Sequence, residues 1–183
     1  MNPKDLTLYV ITDRTWLDGA PLEDAVRAAI EGGATIVQIR EKHVTTEEYI
    51  ARAKPIQAVC QAYGVPLIIN DSLDVAKALG AGVHLGASDG DIAEARRVLG
   101  PDAIVGATAK TIEQAQAAER AGASYLGSGA VFGSTTKTDA KPMPIEQFAA
   151  ICRAVSIPVV AIGGIGAHNV EQLRGSGICG VAV

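Results

Sequence analysis

Eight short apolar runs recur along the chain, at residues 8–12, 35–39, 66–70, 82–85, 103–107, 125–127, 158–162 and 178–183, and no other feature constrains the fold as strongly. They are continuously apolar rather than alternating, as strands are when a sheet is covered on both faces. Between them lie Ala- and Glu-rich segments with helical spacing, at 21–31, 46–63, 91–99, 111–121 and 144–155, several of which open with Asp, Thr or Pro. The pairs Gly33-Ala34, Gly80-Ala81 and Gly122-Ala123 mark helix ends turning back into the sheet. Eight strands alternating with seven helices predict one α/β domain over residues 1–183, a (β/α)8 TIM barrel. The last strand runs to Val183, so an eighth helix is expected to be absent from this chain. An open doubly wound sheet is the alternative. It lacks support, because no Gly-x-Gly-x-x-Gly follows the first strand, and Gly127-Ser128-Gly129 is a weak lookalike.

A length of 183 residues at 48% hydrophobic composition provides for one substantial core. The net charge of −4 leaves no general basic surface for nucleic acid, so any anion must be held by local cations. Cys60, Cys152 and Cys179 are odd in number and set among apolar residues, which reads as reduced thiols of a cytoplasmic protein. Neither a signal peptide nor a bilayer-spanning apolar run is present. The expected partners are therefore small phosphorylated molecules, not nucleic acid or membrane. A homodimer is left open.

Polar residues collect where strands end, which is where barrels carry their chemistry. The apolar stretch 34–37 runs into Gln38-Ile39-Arg40-Glu41-Lys42. Side chains of an extended segment alternate between faces, so Gln38, Arg40 and Lys42 are expected to share one. Two cations and an amide there suit a bound anion, since unpaired they would cost roughly several kcal/mol of desolvation. Asn70-Asp71 follows the third run and Asp89 the fourth, and such a carboxylate pair can share a hard cation such as Mg2+. Taken singly, Asp71 reads equally well as a helix cap and Asp89 as a turn residue. The loop Gly133-Ser134-Thr135-Thr136-Lys137-Thr138 is rich in donors suited to phosphate, or else a solvated linker. Gly163-Gly164-Ile165-Gly166, after the seventh run, lets backbone N–H groups approach an anion. Two anion sites at one mouth suit a reaction that joins a phosphorylated molecule to one that leaves pyrophosphate behind.

Nearly the whole chain resembles the thiamine phosphate synthase family. The likeness is carried by Leu8-Tyr9-Val10-Ile11-Thr12-Asp13, Gln38-Ile39-Arg40-Glu41-Lys42, Ile69-Asn70-Asp71, Gly82-Val83-His84-Leu85-Gly86, Thr136-Lys137-Thr138-Asp139 and Ala161-Ile162-Gly163-Gly164-Ile165. The resemblance implies that a pyrimidine diphosphate and a thiazole phosphate are joined, with Mg2+, by a dissociative mechanism through a carbocation. It implies that Gln38, Arg40, Lys42, Asn70 and Lys137 hold the pyrimidine diphosphate, the cations among them stabilising the departing pyrophosphate, and that Asp71 and Asp89 bind Mg2+. Thr108, where the family usually has serine, would contact the pyrimidine, while Ser134, Thr136 and the backbone at Gly163 and Gly164 would contact the thiazole phosphate. Ala81, Ala87 and Gly133-Ser134 depart from the family pattern, and family members continue past the eighth strand with a loop and helix. The mechanism needs no side-chain base, so His43, His84 and His168 are expected to have no catalytic role, and His84 to have a hydrogen-bonded partner. Two other readings stand beside this one. A thiazole tautomerase of the same superfamily would want a histidine where Lys110 follows Thr108. A non-catalytic phosphate-binding barrel would release no pyrophosphate.

Overall fold

The structure, a computed structural model, describes residues 1–86, 89–133 and 142–183. Eight parallel strands pair in chain order: β1 (Leu8–Ile11), β2 (Ile36–Ile39), β3 (Leu67–Asn70), β4 (Gly82–Leu85), β5 (Val105–Thr108), β6 (Tyr125–Gly129), β7 (Val159–Ile162) and β8 (Gly180–Ala182). β8 pairs with β1, closing the barrel. Outside it lie α1 (Leu22–Glu31), α2 (Thr46–Tyr63), α3 (Leu73–Leu79), α4 (Ile92–Leu99), α5 (Ile112–Arg120) and α6 (Ile145–Ala154). This is the predicted TIM barrel, with strand ends within about two residues of the expected ones.

Two local expectations are corrected. Gly127-Ser128-Gly129 lies inside β6 rather than after it. The seventh helix is a single 3-10 turn, Val170–Leu173. Gly163, Gly164, Gly175 and Gly177 all take positive φ in this connection, which breaks it into turns instead of a regular helix.

Four of the six α-helices among the described residues begin at a side-chain cap. Thr45 and Glu48 form a reciprocal capping box on α2, and Ser72, Asp91 and Thr111 each accept a first-turn N–H of α3, α4 and α5. Gly33, Gly80 and Gly122 all have positive φ, so the Gly-Ala pairs do mark the return into the sheet. At the end of the barrel away from the strand C-termini, the Arg96 guanidinium donates to the carbonyls of Gly100, Pro101, Ala103 and Gly122 and to Ser124 Oγ. It ties the loops before β5 and β6 together without a carboxylate.

Strand residues alternate between two layers. Val37, Ile39, Leu67, Ile69, Val83 and Val105 pack outward against Leu22, Val26, Ala53, Ile56 and Val75. A second outer arc joins Leu126, Val159 and Ala161 to Ala115, Ala118, Phe148 and Ile151. Inside the barrel, Tyr9, Ile36, Ile68, Tyr125, Val160 and Ala182 fill the axis above Leu6. Tyr125 fits because its β5 neighbour is Gly106, where a Cβ would lie 2.2 Å from the tyrosine ring. Gly106→Ala should therefore overpack the axis, lowering stability by about 1–3 kcal/mol. Urea unfolding checks this, and an unchanged midpoint would show that the ring can yield.

Candidate active site

Residues from all eight strands line one cavity of about 350 Å³ at their C-terminal ends. Buried Tyr9, Gln38, His84 and Tyr125 make its floor, while Arg40, Asn70, Asp71, Asp89, Gly163 and Gly164 stand around the rim.

The floor is a continuous chain of hydrogen bonds. Gln38 Nε2 donates to the Tyr9 hydroxyl at 2.7 Å. The Tyr9 and Tyr125 hydroxyls meet at 2.6 Å, with the rings edge to face at 5.7 Å. The Tyr125 hydroxyl lies 2.9 Å from His84 Nδ1, and His84 Nε2 lies 3.0 Å from Thr108 Oγ1. The chain thus crosses the barrel from β2 to β5 through β1, β6 and β4. Burial pushes both phenols well above the ordinary tyrosine range, so the two hydroxyls stay protonated. His84 has the hydrogen-bonded partners expected of it. Tyr9 and Tyr125 were not singled out by sequence reasoning, although a tyrosine inside an otherwise apolar strand was a signal of a buried hydroxyl needing a partner.

At the rim, alternation holds only as far as the strand does. Gln38 and Arg40 both line the cavity. Arg40 N donates to Thr12 Oγ1 at 3.1 Å, which ties the ends of β1 and β2 together. The Arg40 guanidinium makes no ion pair among the described residues, and its charge helps hold the Asp13 carboxyl low, after the hydrogen bonds from Thr15. Lys42 does not share the lining. β2 ends at Ile39, so the pairing that enforces alternation stops before Lys42. Lys42 reaches the site by ion pairing with Asp71. Glu41, of the opposite parity, is buried between Arg14 and Arg52.

Asp71 does not cap α3; Ser72 does. Instead Asp71 holds a φ of 65°, an uncommon conformation for a residue other than glycine and one often found at functional sites. Partial burial raises the Asp71 carboxyl, but the hydrogen bond and charge of Lys42, with hydrogen bonds to Asp89 and Asn70, outweigh it and hold the group below the usual carboxylate range. Asp71 and Asp89 thus share a cavity wall, an all-oxygen donor pair that suits a hard cation. Among the described residues no group of three or more His, Cys, Asp or Glu side chains could hold a metal. A cation here would complete its shell with ligand oxygens or water.

The glycine loop is stitched to the loop after β6. Val131 N donates to the Ile162 carbonyl at 2.9 Å and Phe132 N to that of Gly163 at 3.0 Å. A Cβ on Gly164 would lie 2.6 Å from the Phe132 carbonyl oxygen, so only glycine fits. Buried Asn169 brackets the turn, donating to the Gly164 carbonyl at 2.8 Å and accepting from Gly166 N at 2.9 Å. Its signal, an asparagine three residues after Gly166, was legible but unused. Thr108 lines the cavity beside His84. Ser134, Thr136 and Lys137 lie outside the described residues. A second cavity of about 520 Å³ opens among α2, α3, α4 and the loops before β3, β4 and β5, away from all of these groups.

No helix among the described residues is long and apolar enough to cross a membrane. Residues 8–183 match the family profile described as thiamine monophosphate synthase. The chain is 48% identical over 180 residues to the thiamine-phosphate synthase of Ruminiclostridium cellulolyticum, covering 98% of this chain and 86% of that one. It is 47% identical over 184 residues to thiamine-phosphate synthase 2 of Streptococcus pneumoniae, covering all of this chain and 88% of the relative. Among solved structures, thiamine phosphate pyrophosphorylase from Pyrococcus furiosus superposes with a TM-score of 0.88 at 40% identity, over 99% of this chain and 86% of that one. With a closed barrel and the profile matched from its first strand to its last residue, the chain belongs to the thiamine monophosphate synthase family.

Proposed function

We propose that this protein is a transferase of thiamine biosynthesis that condenses 4-amino-2-methyl-5-(diphosphooxymethyl)pyrimidine with 4-methyl-5-(2-phosphoethyl)thiazole, or its carboxylated form. The products are thiamine phosphate and pyrophosphate. The observation that carries this reading is the convergence of Gln38, Arg40, Asn70, Asp71, Asp89 and Thr108 on one cavity of a chain in this family. The C–O bond between the pyrimidine methylene and the diphosphate breaks, and its electron pair leaves on the diphosphate oxygen. The thiazole nitrogen then gives its lone pair to the methylene carbocation, forming the C–N bond. No proton has to move, in keeping with a floor whose tyrosines are held neutral.

The charge that develops on the leaving diphosphate falls to Arg40, Lys42 and Lys137, with Gln38 and Asn70 hydrogen-bonding beside them. Asp71 and Asp89 would hold Mg2+, which when bound supplies further positive charge to the diphosphate oxygens. Thr108, at one end of the floor, orients the pyrimidine. Gly163 and Gly164, with Ser134 and Thr136, receive the thiazole phosphate. We propose a cytoplasmic location, in keeping with three cysteines that are odd in number and set among apolar residues.

Mg2+-dependent release of pyrophosphate from the two substrates together is the direct test, and no release would sink the reading. Arg40→Ala and Lys137→Ala should each lower kcat/KM by about 10²–10³-fold, with the circular dichroism spectrum unchanged. Wild-type rates in both would remove these residues from the site. Asp71→Asn should raise the Mg2+ concentration needed for half-maximal rate; an identical titration would count against Asp71 as a ligand. The same variant reports on the ion pair. Because the folded-state value of Asp71 is depressed below its ordinary 3.8, its stabilisation is present above that pH and lost as pH falls through the folded value. The Tm gap between wild type and Asp71→Asn should therefore shrink on acidification below about pH 4. A gap that stays constant down to acid unfolding would contradict the assignment.

A further inference from the structure

Glu41 sits between the two cations of the β2 end, yet faces away from the cavity. Its side chain is only 3% exposed, and each carboxylate oxygen has its own arginine. Arg14 Nε lies 2.7 Å from Oε1 and Arg52 Nη1 2.8 Å from Oε2. Arg14 belongs to the 3-10 turn after β1 (Arg14–Trp16) and Arg52 to α2. Neither arginine lines the cavity. Both are somewhat less than half exposed, so they gain little by themselves from the contact, whereas the buried carboxylate depends on them.

We propose that Glu41 is the positioning residue for the diphosphate grip, clamping the segment that carries Arg40 and Lys42 to the β1 loop on one side and to α2 on the other. The inference rests on the reading of Arg40 and Lys42 given above. Two physical consequences follow from the clamp. The segment leaves β2 at Ile39 and does not re-enter regular structure until Thr46, and its other ties lie to either side of Glu41: the Thr12–Arg40 bond, the Tyr49 hydroxyl donating to the Ile39 carbonyl at 2.7 Å, and the Lys42–Asp71 ion pair. Glu41 adds two charged ties at its centre, fixing the backbone on both sides. The second consequence is electrostatic. Because Arg14 and Arg52 saturate the carboxylate, Glu41 does not draw the neighbouring Arg40 guanidinium out of the cavity, and that cation remains available to an anion.

Steady-state kinetics on Glu41→Gln, Glu41→Asp and Arg52→Gln test this, with Arg40→Ala as the reference. Glu41→Gln should raise the KM for the pyrimidine diphosphate about ten- to a hundredfold, with the KM for the thiazole phosphate and the Tm little changed. Inhibition by inorganic pyrophosphate should weaken in parallel, and Glu41→Asp should recover most of the loss. Arg52→Gln removes a half-exposed partner and should move the same constants in the same direction, so the test survives if Glu41→Gln fails to fold. Equal increases in both KM values would signify general loosening and overturn the proposal. So would unchanged constants in Glu41→Gln while Arg40→Ala still raises the diphosphate KM. If Arg40→Ala is silent as well, the assignment of the diphosphate grip has failed, and this inference fails with it.

Discussion

In a closed barrel of parallel strands a residue has two directions available, toward the axis or toward the helices. Pairing of β1 with β8 removes the freedom of any one strand to exchange them. On β2 the choice is made by Val37 and Ile39, both fully buried in the outer layer. That commits Ile36, Gln38 and Arg40 to the axis and Glu41 to the helical side. A slip of one residue would put a carboxylate in the cavity and a guanidinium among apolar helices. The placement of charge at the mouth is thus inherited from the hydrophobic layering beneath it.

The same constraint explains how the barrel can carry polar groups at its axis. Five side chains on five strands, from Gln38 to Thr108, share one chain of hydrogen bonds, and no buried side-chain polar atom among the described residues is left unpartnered. Each group left unpaired there would cost on the order of 1–3 kcal/mol. The arrangement needs the space that Gly106 vacates for Tyr125, so a missing side chain on β5 and a hydroxyl on β6 act as one feature.

The barrel was legible because it is written in repetition: eight apolar runs, capping residues, and glycines where helices turn back. The convergence of Arg40, Asn70, Asp71 and Asp89 was legible too, since each stands at a strand's C-terminal end or in the loop after it. What escaped was set by tertiary contact. Period-2 alternation carried Lys42 into the cavity, but β2 stops at Ile39, three residues before it. A helix cap was an equal reading for Asp71 until Ser72 was seen to take that role. The partners of Glu41 are 27 and 11 residues away in sequence, and those of Tyr125 are further still, so no local pattern announces them. The seventh helix failed because glycine count outweighed chain length between β7 and β8.

The two phenols that stay protonated divide the cavity into zones of unlike polarity. Its floor offers dipoles but, at these two residues, no titration, while the charges gather at the rim. An elongated ligand with a neutral aromatic end and a polyanionic end therefore meets a field gradient along the barrel axis before it makes any contact. The wrong end cannot enter first without carrying its charges onto a buried floor. Orientation is thus selected during entry, and the tyrosines enforce it by remaining uncharged.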